Sequence, residues 1–246
     1  MLDFVILHTN DLHGKLSQQA AEIIAREKNS CDTCILLDAG DAIPSGNIYW
    51  RPWGEPILCR MADIGYDAMV MGNREFHFLA AGLESKVKLA RFPVLSANIR
   101  CTKRSICSCI VPTVTFCIAG LSVAVLGLTV PMITKQMLAA KISPFWFENP
   151  ISAAKDIVPS LRDNADIIIA LTHIGLRTDM ELAAAVSGID IVVGGHSHSL
   201  LSEPVWVDDT AIVQAGYWGH YLGKTELTIS SAGKRTVHTS LIDLRD

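Results

Sequence analysis

Short polar clusters rich in aspartate and histidine recur along the chain, and each follows a run of apolar residues. Carboxylate, imidazole and amide side chains suit a hard-to-borderline divalent metal, and no thiolate stands among them. Glycines flank several of these clusters and allow the backbone to form tight loops there. The pattern predicts a metal centre with the following candidate ligands: Asp11, His13, Asp41, Asn73, His173, His196 and His198.

Two metal ions that lie close together need a shared ligand, and the natural candidate for that ligand is Asp41. A carboxylate suits this position because each of its two oxygens can bind one ion. Such a pair of ions lowers the pKa of a water between them and clamps the oxygens of an in-line phosphoryl displacement. The cluster therefore predicts hydrolysis of a phosphate ester by a hydroxide that bridges two metals.

Each part of this pattern is weak when it is taken alone. A triplet such as Asp11-Leu12-His13 is common by chance, and a single histidine is usually just a hydrogen-bonded polar residue. The full set of clusters in this order favours a metal centre over unrelated polar residues. Ser197 and Thr172 could pass for nucleophiles, but no Ser–His–Asp order supports them.

Hydrophobic periodicity indicates the elements that must position these residues. Short apolar runs predict strands within residues 4–10, 34–38, 68–71, 94–99, 166–171, 190–193, 211–215, 224–229 and 236–244. Helical periods lie over residues 18–27, 57–64, 151–161 and 179–186. Every polar cluster follows the carboxyl end of a predicted strand, where α/β folds gather their ligands. Strands that alternate with helices, followed by a β-rich end, predict an α/β sandwich with mixed sheets.

Composition and charge limit the class of protein. The chain has 246 residues and a formal net charge of -4, so it lacks the basic surface that a nucleic-acid polymer requires. Its seven cysteines, an odd number, do not indicate a disulfide framework. No secretory leader precedes the first motif, so we expect a cytoplasmic protein. No repeat or linker divides the sequence, so we expect one domain over residues 1–246.

One long uncharged segment, residues 105–134, has the length of a membrane span. Pro112, Gly120 and Pro131 interrupt it, and β-branched residues dominate its composition. These features favour a hairpin with strands over 113–118 and 121–128.

Several motifs extend around the candidate ligands. They are LHTNDLHG at 7–14, LDAGD at 37–41, GYDA at 65–68, GNREF at 72–76 and GGHSH at 194–198. These motifs resemble those of the calcineurin-like metallophosphoesterases. The first motif, together with LSANI at 95–99 and QAGYWGHYLG at 214–223, is similar to the 5′-nucleotidase branch. The resemblance implies a four-layer αββα sandwich, in which helices flank two mixed β-sheets.

The resemblance also implies a ligand set for each of two divalent ions. The sets are Asp11, His13, Asp41 and His198 for one ion, and Asp41, Asn73, His173 and His196 for the other. Such ligands accept Mn, Zn, Fe, Co or Ni with little geometric preference. The implied substrate is a small phosphate ester, with nucleotides and related phosphomonoesters first, and neither a nucleic-acid polymer nor a membrane is expected as a partner.

Two substitutions depart from the family pattern Gly-Asn-His-Glu-Phe-Asp. Arg74 stands where the family has the histidine that stabilises the phosphoryl transition state. His77 stands where the family has the aspartate that orients that histidine. Arginine does not donate a proton at neutral pH, but it binds phosphate oxygens bidentately. We expect catalysis to depend on Asn73, Arg74 and His77. His77 would take over part of the general-acid role, because a helical turn would place it on the same face as Arg74.

These substitutions leave two alternatives open. One is a catalytically weak or silent metal-binding homologue, because loss of a positioned acid costs about 10²–10⁴-fold in rate. The other is a phosphodiesterase or cyclic-nucleotide phosphodiesterase, because the same core serves both reactions. Typical 5′-nucleotidases also carry a C-terminal domain that stacks the nucleobase, and we expect that domain to be absent from residues 1–246.

Overall fold

Two β-sheets of six strands each face one another at the centre of the protein. The computed structural model describes residues 2–102, 108–229 and 235–245. In chain order the strands are β1 (Leu2–Thr9), β2 (Cys34–Asp38), β3 (Ala68–Val70), β4 (Val94–Leu95), β5 (Ile99–Cys101), β6 (Thr113–Ile118), β7 (Leu121–Thr129), β8 (Phe145–Phe147), β9 (Ile167–His173), β10 (Ile191–Val193), β11 (Val205–Val207), β12 (Thr210–Val213), β13 (Tyr221–Ile229) and β14 (Arg235–Asp243).

Both sheets are mixed, and each contains four neighbouring parallel strands. The first sheet has the order β14-β13-β1-β2-β3-β4, with β1 to β4 parallel. The second has the order β11-β12-β10-β9-β7-β6, with β12, β10, β9 and β7 parallel. Strands β5 and β8 form a small antiparallel ribbon. Because parallel strands end at the same edge of a sheet, the loops after them lie together.

Helices cover the outer faces of the sheets. They are α1 (Gln18–Asn29), α2 (Pro56–Ile64), α3 (Ala80–Val87), α4 (Pro150–Arg162) and α5 (Leu176–Ala185). Local signals explain several of their ends. The Ser17 hydroxyl accepts a hydrogen bond from the N–H of Ala20 at the start of α1. At the carboxyl end of the next helix, Gly65 adopts a left-handed conformation and closes α2.

Three buried clusters hold the layers together, and side-chain alternation along the strands assigns each residue to its layer. On β1, Phe4 and Ile6 point into the cluster between the sheets, whereas Leu7 points to the helices of the first sheet. On β9, Ile169 lies between the sheets and Ile168 packs towards α4 and α5. The four-layer αββα sandwich with two mixed sheets is therefore confirmed.

The structure differs from the predicted elements in a few places. The strand predicted over 94–99 is divided into β4 and β5, because the chain leaves the sheet between them. There the Asn98 side chain accepts from the N–H of Thr129 and donates to the carbonyls of Thr129 and Glu148. Helix α3 and strands β8 and β11 were not predicted.

The predicted hairpin is confirmed as β6 and β7, whereas the start of the uncharged segment, at Ser105, lies outside the described residues. Among the described helices, none combines the length and the apolar composition that crossing a membrane requires.

Candidate metal centre

The candidate ligands converge at the carboxyl ends of the parallel strands, and both sheets contribute. Asp11 and His13 follow β1, Asp41 follows β2 and Asn73 follows β3, all in the first sheet. His173 is the last residue of β9, and His196 and His198 follow β10, both in the second sheet. The cluster thus bridges the edge where the two sheets meet.

Left-handed backbone conformations direct many of these side chains into the cluster. The φ angles are 51° at Asp11, 48° at His13, 56° at Asp41, 75° at His196 and 55° at His198. Residues other than glycine adopt such angles uncommonly, and each costs about 1–3 kcal/mol when the surroundings impose strain. A concentration of this conformation at one site indicates that the fold accepts a local cost to aim the ligands.

Two glycines allow the loops to approach closely enough. A Cβ atom at Gly72 would lie 2.3 Å from Oδ1 of Asp41. A Cβ atom at Gly195 would lie 2.5 Å from the carbonyl oxygen of Ala39, which belongs to the opposite sheet. Any larger residue at either position would push the ligand loops apart.

Asp11 organises one half of the cluster. Its Oδ1 lies 3.3 Å from Nε2 of His198 and 3.6 Å from Nε2 of His13. Its Oδ2 accepts hydrogen bonds from the Asn10 amide at 2.8 Å and from the main-chain N–H of His196 at 2.9 Å. Oδ1 of Asp11 and Nε2 of His13 are both buried and make no hydrogen bond within the described residues. Orphaned polar atoms of this kind are what a metal ion would satisfy.

Asp41 connects the two halves. Its Oδ2 lies 3.5 Å from Nε2 of His13, and its Oδ1 lies 3.5 Å from Nε2 of His173. Oδ1 also accepts a hydrogen bond of 2.7 Å from the main-chain N–H of Arg74. The two carboxylate oxygens therefore face different imidazoles.

His173 is prepared as a ligand by its other ring nitrogen. Nδ1 lies 2.7 Å from the Ala39 carbonyl, so the proton belongs on Nδ1 and the lone pair of Nε2 stays available. Nε2 lies 3.3 Å from Oδ1 of Asn73. The ring of His196 packs edge-on against the His173 ring at 5.0 Å, and burial lowers the pKa of His196. Neutral imidazoles of this kind are the form that binds metals.

The electrostatics of the site call for a cation. Burial opposes ionisation of both Asp11 and Asp41, yet the neighbouring imidazoles prevail and hold the pKa of each carboxyl below its usual value. Burial also opposes protonation of His13, but these two carboxylates raise its pKa to about 9. Without a metal, a proton on His13 supplies the positive charge that the carboxylates need.

Two groups of three residues have ligand atoms that lie within 4.8 Å of one another. The first, Asp11, His13 and His198, belongs to one of the expected ligand sets. The second, Asp11, Asp41 and His173, combines two members of the other set with Asp11. The structure brings all the candidate ligands together, and His196 stands nearest to His173 through its ring.

Arg74 lies at this cluster, but His77 does not. Residues 73–75 form a turn and α3 begins only at Ala80. The prediction that His77 shares a helical face with Arg74 is therefore wrong. Nδ1 of His77 accepts from the N–H of Leu79 at 3.0 Å, and Nε2 lies 3.1 Å from the carbonyl of Ile48. Both ring nitrogens therefore contact the main chain. The ring fits beneath α3 only because Gly82 has no side chain, since a Cβ there would lie 2.2 Å from Nδ1 of His77.

Glu75 is an organising residue for which the sequence predicted no role. It is fully buried, and its carboxylate accepts main-chain N–H groups from Asp41 at 3.0 Å, Ile43 at 3.1 Å and Gly72 at 2.8 Å. It thus ties the loop that carries Asp41 to the loop that carries Asn73. No local pattern in the sequence indicates this role, because Glu75 follows two polar residues, Asn73 and Arg74, and its partners Asp41 and Ile43 lie more than 30 positions away.

Comparison with known proteins identifies the family of this chain. A family model described as calcineurin-like phosphoesterase matches residues 4–200. The trifunctional nucleotide phosphoesterase protein YfkN of Bacillus subtilis is 30% identical over an alignment of 274 residues. This alignment covers 94% of this chain and 18% of that relative. The 5′-nucleotidase of Homo sapiens is 30% identical over an alignment of 282 residues, and this alignment covers 94% of this chain and 47% of that relative.

The solved structure of a 5′-nucleotidase precursor from Thermus thermophilus matches with a TM-score of 0.80 and 26% sequence identity, over 98% of this chain and 55% of that one. The family model is that of a phosphoesterase, and these relatives are nucleotidases or nucleotide phosphoesterases by name. The chain belongs to the calcineurin-like phosphoesterase family. It spans about half the length of the human nucleotidase and a smaller share of YfkN.

Proposed function

We propose that the protein hydrolyses phosphate monoesters, with nucleotides the first class to test, by means of two divalent metal ions. The observation that carries the proposal is the pair of orphaned buried atoms, Oδ1 of Asp11 and Nε2 of His13, inside a cluster of carboxylates and imidazoles. One ion would be held by Asp11, His13, Asp41 and His198, and the other by Asp41, Asn73, His173 and His196. Divalent ions bound there supply Lewis-acid charge and lower the pKa of water.

Arg74 is the residue proposed to bind the substrate phosphate. Its side chain is 31% exposed, and Nε lies 3.5 Å from Oδ2 of Asp41. Nη1 donates to the carbonyl of Pro44 at 2.7 Å, whereas Nη2 makes no hydrogen bond to the described residues. The guanidinium is therefore held at the edge of the cluster with one donor group available. Charge-assisted hydrogen bonds from arginine to phosphate are strong and directional.

Protonation of the leaving group distinguishes this site from the usual family pattern. Arg74 does not donate a proton, and both ring nitrogens of His77 contact main-chain groups. Substrates whose leaving group needs little protonation should therefore react fastest. An activated aryl phosphate is such a substrate, whereas a nucleoside 5′-monophosphate has a poor leaving group.

The test measures hydrolysis of p-nitrophenyl phosphate and of adenosine 5′-monophosphate by protein loaded with Mn²⁺. We expect the aryl ester to react faster. Arg74→His restores the histidine of the family pattern and should raise kcat for the nucleotide by at least about tenfold, since a positioned acid contributes about 10²–10⁴-fold. The matched control is Arg177→His, at an arginine that is 93% exposed on α5.

The competing candidate is a catalytically silent metal-binding protein, which the engagement of His77 by the main chain favours. The two candidates differ in a simple result. Absence of phosphate release from the aryl ester with Mn²⁺, Zn²⁺, Fe²⁺, Co²⁺ and Ni²⁺, from protein that binds metal, contradicts the proposed hydrolase. Hydrolysis of bis(p-nitrophenyl) phosphate in preference to the monoester indicates a phosphodiesterase instead.

A further inference from the structure

Lys86, on α3, is a fully buried lysine next to the proposed site. Its Nζ donates to three main-chain carbonyls: Gly46 at 2.7 Å, Arg74 at 2.5 Å and Phe76 at 3.1 Å. Within the described part of the chain, no carboxylate lies within 4.0 Å of this ammonium group. Lysine is almost never fully buried unless it is paired, because burial of a charge is costly.

The charges around Lys86 explain why it stays ionised at neutral pH. Burial lowers its pKa to about 8, against the opposing effect of Glu75, Glu55 and Asp41, while Arg74 lowers it further. Glu55 and Glu75 are themselves fully buried. The ammonium thus lies in a field of buried carboxylates, but its hydrogen bonds all go to the backbone of two loops.

The two loops that Lys86 joins are the same two that Arg74 joins. One follows Asp41 and includes Pro44 and Gly46, and the other includes Arg74 and Phe76. Arg74 contacts the first loop through its main-chain N–H to Asp41 at 2.7 Å and through Nη1 to Pro44 at 2.7 Å. Lys86 ties these loops together through the carbonyls of Gly46 and Arg74, beside the hydrogen bonds that Arg74 itself makes.

We propose that Lys86 is a positioning residue for the substrate phosphate, because its ammonium fixes both loops so that the Arg74 guanidinium stays beside Asp41 with Nη2 available. The inference rests on the phosphate-binding role proposed for Arg74. Lys86 does not touch the substrate and acts through Arg74. If Lys86 only filled space, removal of its charge and its hydrogen-bond donors would leave the two loops in place.

A double-mutant cycle separates positioning from general packing. It uses Lys86→Met, Arg74→Met and the double variant, with p-nitrophenyl phosphate and Mn²⁺-loaded protein. We expect Lys86→Met to raise KM about tenfold, as for the loss of one charge-assisted hydrogen bond, and Arg74→Met to do the same. In the Arg74→Met background, Lys86→Met should change KM less than about twofold. Equal effects of Lys86→Met in both backgrounds would overturn the proposal, as would an unchanged KM in the single variant.

Two further variants serve as controls for the double-mutant cycle. Lys86→Arg keeps the charge and the donors, and it should recover most of the affinity for substrate. Lys28→Met is the matched control, since Lys28 also donates to a carbonyl, that of Cys34 at 3.1 Å, but lies at the opposite end of β2. It should leave KM unchanged. If Lys86→Met does not fold, Lys86→Gln, which retains a donor, takes its place in the cycle.

Amide hydrogen exchange provides a readout that does not depend on activity. In the metal-free protein, Lys86→Met should accelerate exchange over residues 41–48 and 72–77 and leave β9 and β10 unchanged. Unaltered exchange over these loops would overturn the positioning role. Absence of hydrolysis by the unaltered protein contradicts the proposed hydrolase instead, and exchange then still decides whether Lys86 holds Arg74 in place.

Discussion

Asp41 contacts an imidazole with each of its oxygens, since one lies 3.5 Å from His13 and the other 3.5 Å from His173. An aspartate in this position can serve two ions at once, whereas an asparagine keeps the shape but replaces one oxygen by a group that repels a cation. We expect Asp41→Asn to weaken Mn²⁺ binding by about 10²-fold or more, measured by isothermal titration calorimetry. Affinity within threefold of the original would contradict the role of Asp41 as a shared ligand.

Asp38→Asn is a matched control for that variant. Asp38 is also fully buried, only three positions earlier, and accepts hydrogen bonds from the Thr9 hydroxyl at 2.6 Å and the Gly40 N–H at 2.9 Å. Burial raises the pKa of Asp38 well above its usual value, so asparagine resembles the neutral form of this residue. Metal affinity should therefore be nearly unchanged in Asp38→Asn.

His8 gives the folding stability a dependence on pH. It is buried on β1, its Nδ1 has no hydrogen-bond partner among the described residues, and burial lowers its pKa to about 4. Between pH 6.5 and pH 4 the unfolded chain binds a proton at His8 that the folded chain does not. This contribution to stability is complete above about pH 6.5 and is lost as the pH falls towards 4, by about 3 kcal/mol in all.

The comparison that isolates this effect uses His8→Gln. Urea unfolding at about pH 7 and about pH 4.5 should show a smaller loss of stability in His8→Gln than in the original protein. His238→Gln, at an exposed histidine on β14, should keep the full loss. Parallel pH profiles for the original protein and His8→Gln would contradict the assignment.

The candidate ligands could be predicted from the sequence because a local pattern marks each of them, namely a polar residue that follows an apolar run. Glu75 and His77 could not be placed in this way. The role of Glu75 depends on N–H groups contributed by Asp41 and Ile43, more than 30 positions away. The position of His77 depends on the gap beneath Gly82, which exists only once α3 has packed. Long-range contacts of this kind leave no periodic trace in the sequence.

At the scale of elements, the pairing of β1 with β13 depends on a glycine. Gly223 is paired with His8 in the sheet, and a Cβ at Gly223 would lie 2.2 Å from Nε2 of His8. We expect Gly223→Ala to destabilise the protein by about 1–3 kcal/mol, because the ring has to move within a packed core. Gly46→Ala, whose Cβ would meet nothing within 4 Å, is the matched control. Urea unfolding checks both variants, and equal midpoints for the two would contradict this account.

The central strands were predictable because both of their faces are buried, which gives continuous apolar runs. Helix α3 was not predictable, because its buried residues include Ser85 and Lys86. These polar residues break the apolar stripe that marks a helix. Strands β8 and β11 have three residues each and lie outside the parallel core. Short edge elements are decided by their partners and not by their own sequence.

At the scale of the whole molecule, the cluster joins two sheets that otherwise meet through an apolar interface. The first sheet contributes residues such as Asp11 and Asp41, and the second contributes His173, His196 and His198. A metal bound between them should therefore stabilise the entire sandwich, and not a single loop. Binding to the folded state alone stabilises it by about 2.7 kcal/mol when the free metal is about 100 times Kd.

That free energy corresponds to a rise in Tm of about 5–10 °C for a domain of this size. Differential scanning calorimetry with Mn²⁺ and with EDTA measures the shift, and we expect a single transition that moves as a whole. Asp41→Asn should lose most of the shift at the same Mn²⁺ concentration, because it removes the proposed shared ligand. A metal that stabilised only one sheet would instead split the transition, since the strands of the other sheet, such as β10, would still unfold at the temperature of the metal-free protein.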